Sequence, residues 1–295
     1  MQLSLNKIEV QTLKSNLWNG YAIDVLRLDM VHPIVSGNKW FKLKFHLQNA
    51  LVQNKKTMAS YGGAYSNHII ALAYACHAEG LKSVGIIRGQ KPREMSATLR
   101  SAENFGMQLI FVSREDFKHK NKLEQEFDGD YYWINEGGYS TEGMMGASEI
   151  LSVADTTNYS HIICSCGTGT MIAGLINAAL PHQKIIGINA LKGHMGLEND
   201  IKNLLPKNKQ QRNFNILNEY HFGGYAKHTT ALIDWMKELW QQENLPTDIV
   251  YTSKLLYAVK DLCNQNTFAK NSRLLIIHSG GLQGNLSLPL NTLPF

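Results

Sequence analysis

The run His161-Ile162-Ile163-Cys164-Ser165-Cys166-Gly167-Thr168-Gly169-Thr170, continuing into Met171 to Leu180, decides how the chain folds. His161 to Cys164 is a short apolar block with the length of a buried strand, and the apolar spacing from Met171 onward is that of a helix. A strand that passes through a Gly/Thr turn into a helix is the repeating unit of a parallel sheet covered by helices. The turn itself has chemical consequences. Glycines let backbone N–H groups face an anion, and a helix N-terminus adds partial positive charge. Cys166 to Thr170 is therefore a candidate phosphate cradle whose threonine hydroxyls complete the shell. It lacks the Gly-Lys-Ser/Thr ending of a Walker loop and is not a full G-x-G-x-x-G, and an ordinary tight turn has the same composition.

Outward from this unit the same alternation recurs. Upstream, a helix over Asn38 to Leu51 precedes a strand at Thr57–Tyr61 that ends in Gly62-Gly63, and a helix over Ser66 to Glu79 is stopped by Gly80. Strands at 83–87, 108–112 and 131–134 alternate with helices at 96–105 and 142–153. Downstream, 184–188 reads as a strand, 229–242 as an amphipathic helix, and Arg273 to Ile277 as a last buried strand ending in His278-Ser279-Gly280-Gly281. Ile249-Val250 reads as a short strand before Tyr251. In open sheets of this kind ligands sit beyond the carboxyl ends of the strands. Gly62-Gly63, Cys166 to Thr170 and Ser279-Gly280 all fall at such ends.

Composition narrows the class. The 295 residues are 44% hydrophobic and 18% charged, with only seven prolines, which is the balance of a globular chain with a sizeable core. No apolar run approaches the roughly 20 residues that cross a bilayer, and MQLSLNKIEVQTLKSNLW lacks the apolar block of a signal peptide. No membrane association is expected, and a cytoplasmic location is. The formal charge of +5 is spread over scattered lysines rather than a basic stripe interleaved with aromatics, so no nucleic-acid partner is expected. Four cysteines suit a reducing compartment; Cys164-x-Cys166 has the wrong spacing for a zinc knuckle, and no metal is expected.

Four further elements carry chemistry. Lys39 follows the small turn Gly37-Asn38, where a lysine is a candidate Schiff-base residue, although Gly-Asn-Lys is also a common surface turn. Ser66-Asn67-His68 opens a helix, so Ser66 can be an ordinary cap. The same free N–H groups with the Ser66 hydroxyl can bind a carboxylate, leaving the Asn67 amide to donate to a phenolate oxygen. Tyr251-Thr252-Ser253-Lys254, with Tyr225 earlier in Phe222-Gly223-Gly224-Tyr225, offers tyrosines that are either packing or acids. Ser279 gives a hydroxyl at a strand end, beside glycines that admit a planar ligand. A lysine amine, a phosphate cradle, a donor for a phenolic oxygen and a hydroxyl for a ring nitrogen together describe a site for pyridoxal 5'-phosphate.

With these motifs the chain resembles the pyridoxal-phosphate enzymes comprising D-cysteine desulfhydrase and 1-aminocyclopropane-1-carboxylate deaminase, of the tryptophan-synthase-β fold type. The resemblance runs from Ser36 to Gly281 and is weak over the first 30 residues. It implies an α/β fold of two open, twisted, mainly parallel sheets covered by helices. Residues 1–41 and 154–295 would form a large cofactor-binding domain and 42–153 a small inserted one, with the cofactor in the cleft. It further implies that Lys39 carries the cofactor, that Asn67 lies beside its phenolic oxygen, that Gly167, Thr168, Gly169 and Thr170 hold its phosphate, and that Ser279 faces its pyridine nitrogen. Ser66, Tyr225 and Tyr251 take catalytic positions, and Ser66, Asn67, His68 and Thr252 contact the substrate.

Two positions separate the activities. Ring-opening members resemble a Tyr-Glu-Gly-Lys pattern and carry leucine before the final Gly-Gly, whereas this chain has hydroxyl residues at both, Thr252 and Ser279. It also has His68 where the deaminase branch tends to glutamine. The implied function is D-cysteine desulfhydrase, releasing sulfide, pyruvate and ammonia from a small amino acid, in a homodimer. The alternatives are the deaminase, giving 2-oxobutanoate and ammonia, and a catalytically silent cofactor-binding homologue. Ser253 stands where the family has glycine, which puts one side of the substrate pocket in question.

Overall fold

A computed structural model describes residues 5–295. The strands in chain order are β1 (Val10–Thr12), β2 (Ala22–Arg27), β3 (Thr57–Gly62), β4 (Lys82–Arg88), β5 (Met107–Val112), β6 (Tyr131–Ile134), β7 (His161–Cys166), β8 (Lys184–Asn189), β9 (Phe214–Leu217) and β10 (Arg273–His278). The α-helices are α1 (Asn38–Val52), α2 (Asn67–Ala78), α3 (Ala97–Asn104), α4 (Lys120–Gln125), α5 (Thr141–Ser148), α6 (Thr170–Ala178), α7 (Leu197–Leu204), α8 (Thr230–Glu243) and α9 (Thr252–Asn264).

They build two sheets. The larger has the order β1-β2-β10-β7-β8-β9, parallel except for β1, which runs antiparallel to β2. The smaller, β5-β4-β3-β6, is parallel throughout and lies wholly between β2 and β7 in the chain. Helices cover both faces of the large sheet, which explains why β7 and β10 are near-continuous apolar runs rather than alternating ones. Ile276 of β10 pairs with Val25 on one side and Ile163 on the other, all three buried. In each sheet the chain order reverses at one strand: β7 lies between β8 and β10, and β3 between β4 and β6. Those are the crevices where a ligand finds room beyond the strand ends.

The expected strands and helices are present, with differences at specific places. Ile249-Val250 is not a strand. The Asp248 carboxylate accepts from the backbone N–H groups of Val250, Tyr251 and Thr252 at 2.8–3.0 Å. That side-chain capping pulls the segment into a turn that starts α9, overriding its β-branched composition. The helix expected over 142–153 ends as an α-helix at Ser148, whose hydroxyl donates back to the Met144 carbonyl at 3.1 Å, and tightens into a 3-10 turn over Glu149–Ser152. Sequence reading did not anticipate β1, β2, β9, α4, α7 or α9. Trp18, Trp40 and Phe41 all lie in the core. Among the described residues no helix is long and apolar enough to cross a membrane, and among them no cluster of three or more His, Cys, Asp or Glu side chains is placed to hold a metal ion. Residues 1–4 of the expected large domain lie outside the described residues.

Candidate active site

Two loops lock together at the end of β10. Gly37 has φ 63°, and a Cβ there would stand 1.8 Å from the Ser279 carbonyl oxygen; one at Gly280 would meet the Ser36 Oγ at 2.6 Å. The Asn38 N–H donates to that Ser279 carbonyl at 3.2 Å. This backbone-to-backbone approach is why a glycine precedes Asn38: it seats the first turn of α1, and with it Lys39, directly beside Ser279. Lys39 Nζ donates to Asn38 Oδ1 at 2.5 Å. Burial, partly offset by the Asp248 charge, lowers its pKa to about 8.

Lys39 opens on a cavity of about 250 Å³ that lies at the ends of β3, β4, β6, β7 and β10. Gly63 follows β3, Glu136 follows β6, Gly167 follows β7 and Ser279 follows β10. Ser66, Asn67 and His68 line it from the start of α2, where Ser66 Oγ caps the Ile69 N–H at 3.3 Å. Ser66 thus serves as a helix cap and as cavity wall at once. The Asn67 amide oxygen and His68 Nδ1 are buried and without a hydrogen-bond partner among the described residues. The His68 tautomer follows from its neighbours. Ser60 Oγ donates to the Ile134 carbonyl at 2.8 Å, so it accepts from His68 Nε2–H at 2.9 Å, and Nδ1 keeps a free lone pair.

The cradle forms as the strand-to-helix turn requires. Gly169, at φ 83°, caps α6, and Thr168 and Thr170 pair their hydroxyls at 3.0 Å. Gly167, Thr168 and Gly169 line the cavity; Thr170 is fully buried behind them and touches it through Thr168. Tyr251 covers the turn: a Cβ at Gly167 would lie 3.1 Å from its hydroxyl. Tyr225 stands edge-on to Tyr251, ring centres 6.3 Å apart, and its hydroxyl donates to the Tyr65 carbonyl at 3.3 Å. Burial raises both phenols, Tyr225 to about 12 and Tyr251 well above the ordinary tyrosine range. Ser279 Oγ lies 3.3 Å from Ser165 Oγ.

Thr252 is brought near but not in. Its hydroxyl donates to Asp248 Oδ2 at 2.6 Å and accepts from the Asp248 N–H at 2.7 Å, and it does not line the cavity. Ser253 likewise is fully buried away from the cavity, its Oγ without a partner among the described residues. The serine-for-glycine change therefore bears on the core between α8 and α9, where the Ser253 carbonyl accepts from Trp235 Nε1 at 3.2 Å, rather than on the pocket wall.

Sequence reading missed several members. Lys42 stands one turn after Lys39 on the same helix face, a spacing that could have exposed it. It is buried, and burial followed by the Lys39 charge holds its pKa well below the usual lysine range. Arg88 and Glu136 sit at strand ends, the places where such residues are sought. Glu136 pairs with Lys120 at 3.1 Å, whereas Arg88 makes no ion pair among the described residues. Asp248 had no visible signal, because its role lies in the turn it creates.

These groups fit pyridoxal phosphate. Two buried amines that share a cavity repel when both are charged, and a phosphate dianion on the adjacent N–H cradle relieves that repulsion. Asn67 lines the same cavity, as do Ser279 and Ser165, whose hydroxyl pair can meet a ring nitrogen.

Comparison with known proteins agrees. The profile of the family described as pyridoxal-phosphate dependent enzymes matches residues 22–280. A protein of Thermotoga maritima that carries the provisional name 1-aminocyclopropane-1-carboxylate deaminase is 29% identical, over 96% of each chain. The Arabidopsis thaliana protein named bifunctional D-cysteine desulfhydrase/1-aminocyclopropane-1-carboxylate deaminase, mitochondrial, is 25% identical over 90% of this chain and 74% of its own. Among solved structures, one described as an ACC deaminase homologue superposes with a TM-score of 0.82 at 24% identity, covering 95% of this chain and 90% of that one. It shares the fold.

Proposed function

The chain belongs to the family of pyridoxal-phosphate dependent enzymes, and from that premise we propose that it is an amino-acid lyase acting as a D-cysteine desulfhydrase. One observation carries this reading: the cavity wall at the end of β10 presents hydroxyls, Ser279 and Ser165, and no free carboxylate. The buried carboxylate Asp248 is saturated by four donors, Asp29 is paired with Arg27 and His278, and Glu136 is held by Lys120. A carboxylate at a pyridine nitrogen would keep it protonated and make a stronger electron sink than a hydroxyl does. Elimination of sulfide tolerates the weaker sink, because the leaving group takes the electrons; opening a cyclopropane ring has no such outlet.

Bound pyridoxal phosphate supplies the electron sink that stabilises charge at Cα. The protein supplies the rest. The N–H groups opening α2 and the Ser66 hydroxyl bind the substrate carboxylate, and the cation Arg88 at the cavity wall draws anionic substrates toward them. Lys39, whose burial favours the neutral amine, takes the α-proton. Tyr225 and Tyr251 stay protonated across the neutral range, so either can donate a proton to the departing sulfur. The sum is cysteine and water going to hydrogen sulfide, pyruvate and ammonia. Thr252 contributes to this reading through Asp248 and the Tyr251 turn.

The proposal includes an inserted domain at 42–153, supported by a four-stranded sheet confined to that span. It includes a homodimer, supported by the exposed apolar side chains Leu51, Val52 and Met145 on the packed helices α1 and α5, and a cytoplasmic location, supported by four buried free cysteines. A second reading, deaminase activity on 1-aminocyclopropane-1-carboxylate, is favoured by the names of the relatives.

The test is release of sulfide and pyruvate from D-cysteine by the cofactor-loaded protein, beside release of 2-oxobutanoate from 1-aminocyclopropane-1-carboxylate. The account expects sulfide release to dominate and Lys39→Ala to reduce it by at least about 10³-fold. Comparable 2-oxobutanoate release would move the assignment to the deaminase. A loaded protein that turns over neither, and shows no spectral response to amino acids, would indicate a silent homologue.

A further inference from the structure

Lys254 is fully buried in the first turn of α9, yet it faces away from the cavity. Its ammonium donates to two backbone carbonyls, His221 at 2.9 Å and Gly224 at 2.8 Å. Both belong to the connection between β9 and α8 that carries Tyr225.

That connection is held in an unfavourable shape. Phe222, Gly223, Gly224 and Ala226 all have positive φ, 49°, 91°, 115° and 54°. Glycine adopts this region freely, but Phe222 and Ala226 do not, and side-chain-bearing residues stay there only where the surroundings leave no alternative. Within the segment the restraints are local: the Gly224 N–H donates to the His221 carbonyl and the Gly223 N–H to His221 Nδ1, each at 2.9 Å. From outside, the Phe222 ring packs edge-on against Tyr257 of α9 at 4.9 Å, and Lys254 grips the carbonyls on both sides of the turn. Lys254 and Tyr257 thus tie the segment to α9, and Tyr251 is the residue that immediately precedes that helix, while Tyr225 and Ala226 also pack against Ile233 and Met236 of α8 and Ile249-Val250.

We propose that Lys254 is a positioning residue that fixes Tyr225 in register with Tyr251, by tying the 221–226 segment to the helix whose start Tyr251 marks. The two phenols then meet the substrate from one rigid unit although 26 positions separate them in the chain, Tyr225 to Tyr251. The same unit reaches across the cleft through the Tyr225 hydroxyl on the Tyr65 carbonyl at 3.3 Å, in the loop that also carries Ser66. Lys254 touches neither substrate nor cofactor; it acts through Tyr225. This rests on Tyr225 being a working member of the site, as read above.

The experiment combines hydrogen exchange on the cofactor-loaded protein, without substrate, with a double-mutant cycle on turnover. Lys254→Met keeps the length and apolar stem but removes the bond from α9 to both carbonyls, which keep only the local N–H donors of Gly224 (to His221, 2.9 Å) and Lys227 (to Gly224, 3.2 Å). Exchange across 221–226 is expected to rise at least about tenfold, while α1 and the 166–170 turn stay as protected as before and the cofactor band remains. The fall in kcat is expected to be about 10- to 100-fold, exceeding any change in KM, and to vanish in a Tyr225→Phe background. Gly224→Ala strains the same turn from its outer side, where a Cβ would meet Lys192 Cβ at 3.3 Å, and should reproduce both effects if the lysine variant does not fold. Unchanged exchange at 221–226, or a loss that persists in full in the Tyr225→Phe background, would overturn the proposal. Should Tyr225→Phe alone leave turnover intact, the acid role given to Tyr225 falls, and the exchange result still decides whether Lys254 holds the segment.

Discussion

The two walls of the cavity are built by opposite means. The wall we assign to the cofactor, Lys39, Gly167 to Gly169 and Ser279, consists of strand ends and helix starts pressed together so closely that a single added Cβ at Gly37 would fall 1.8 Å from a carbonyl oxygen. The wall we assign to the substrate, at Tyr225, hangs on a segment with two strained side-chain-bearing residues, side-chain packing against α8 and α9, and a few hydrogen bonds, the one across the cleft 3.3 Å long. The first wall is fixed by excluded volume, which any perturbation meets at once. The second combines side-chain packing with directional bonds, and the bonds are what one substitution can release. On the proposed roles, changes on the tyrosine side are expected to alter specificity while the cofactor site stands.

The comparison breaks most readily at Gly37. Gly37→Ala collides with the Ser279 carbonyl and occupies positive φ, so it is expected to destabilise the loaded protein by about 3 kcal/mol or more and to weaken cofactor binding. Denaturant unfolding with and without pyridoxal phosphate measures both. A melt like that of the parent protein would show the first wall to be as pliable as the second.

A smaller effect sharpens the same contrast. Because burial brings Lys39 to about 8, roughly a tenth of the free amine is neutral at pH 7, far more than for an ordinary lysine. The rate of cofactor uptake by the empty protein should rise with pH and level off above about 8. The sign for stability is the same: between about 8 and 10.5 the unfolded chain holds the proton and the folded one does not, so this group adds stability as pH rises through that window and adds nothing further above it. Stopped-flow absorbance across pH 6–10 reads the uptake; a flat profile would separate Lys39 from it.

The contrast between the walls also marks what could be read from the residues. Strand-to-helix turns at Gly167 and Ser66 and the strand end at Ser279 were legible because their chemistry and their place in the fold share one short motif. Lys42 was hidden only by attention to its neighbour. Asp248 and Lys254 were not legible in the same way. Asp248 acts by creating the turn that the β-branched pair Ile249-Val250 argues against, and Lys254 acts on carbonyls 30 and 33 positions away. Thr252 illustrates the converse: a hydroxyl next to a site tyrosine in sequence faces a capping carboxylate in the fold. Long-range backbone contacts leave no local pattern, so the wall that depends on them is the part that only the structure discloses.

The central claim is that Lys39, not its buried neighbour Lys42, carries the cofactor. Loading the protein with pyridoxal phosphate, reducing it with borohydride and locating the added mass by peptide mapping tests this directly. The account predicts a pyridoxyl-phosphate modification on Lys39 and on no other lysine, and none in Lys39→Ala. Modification at Lys42, or no lysine modified in a loaded protein, would contradict it.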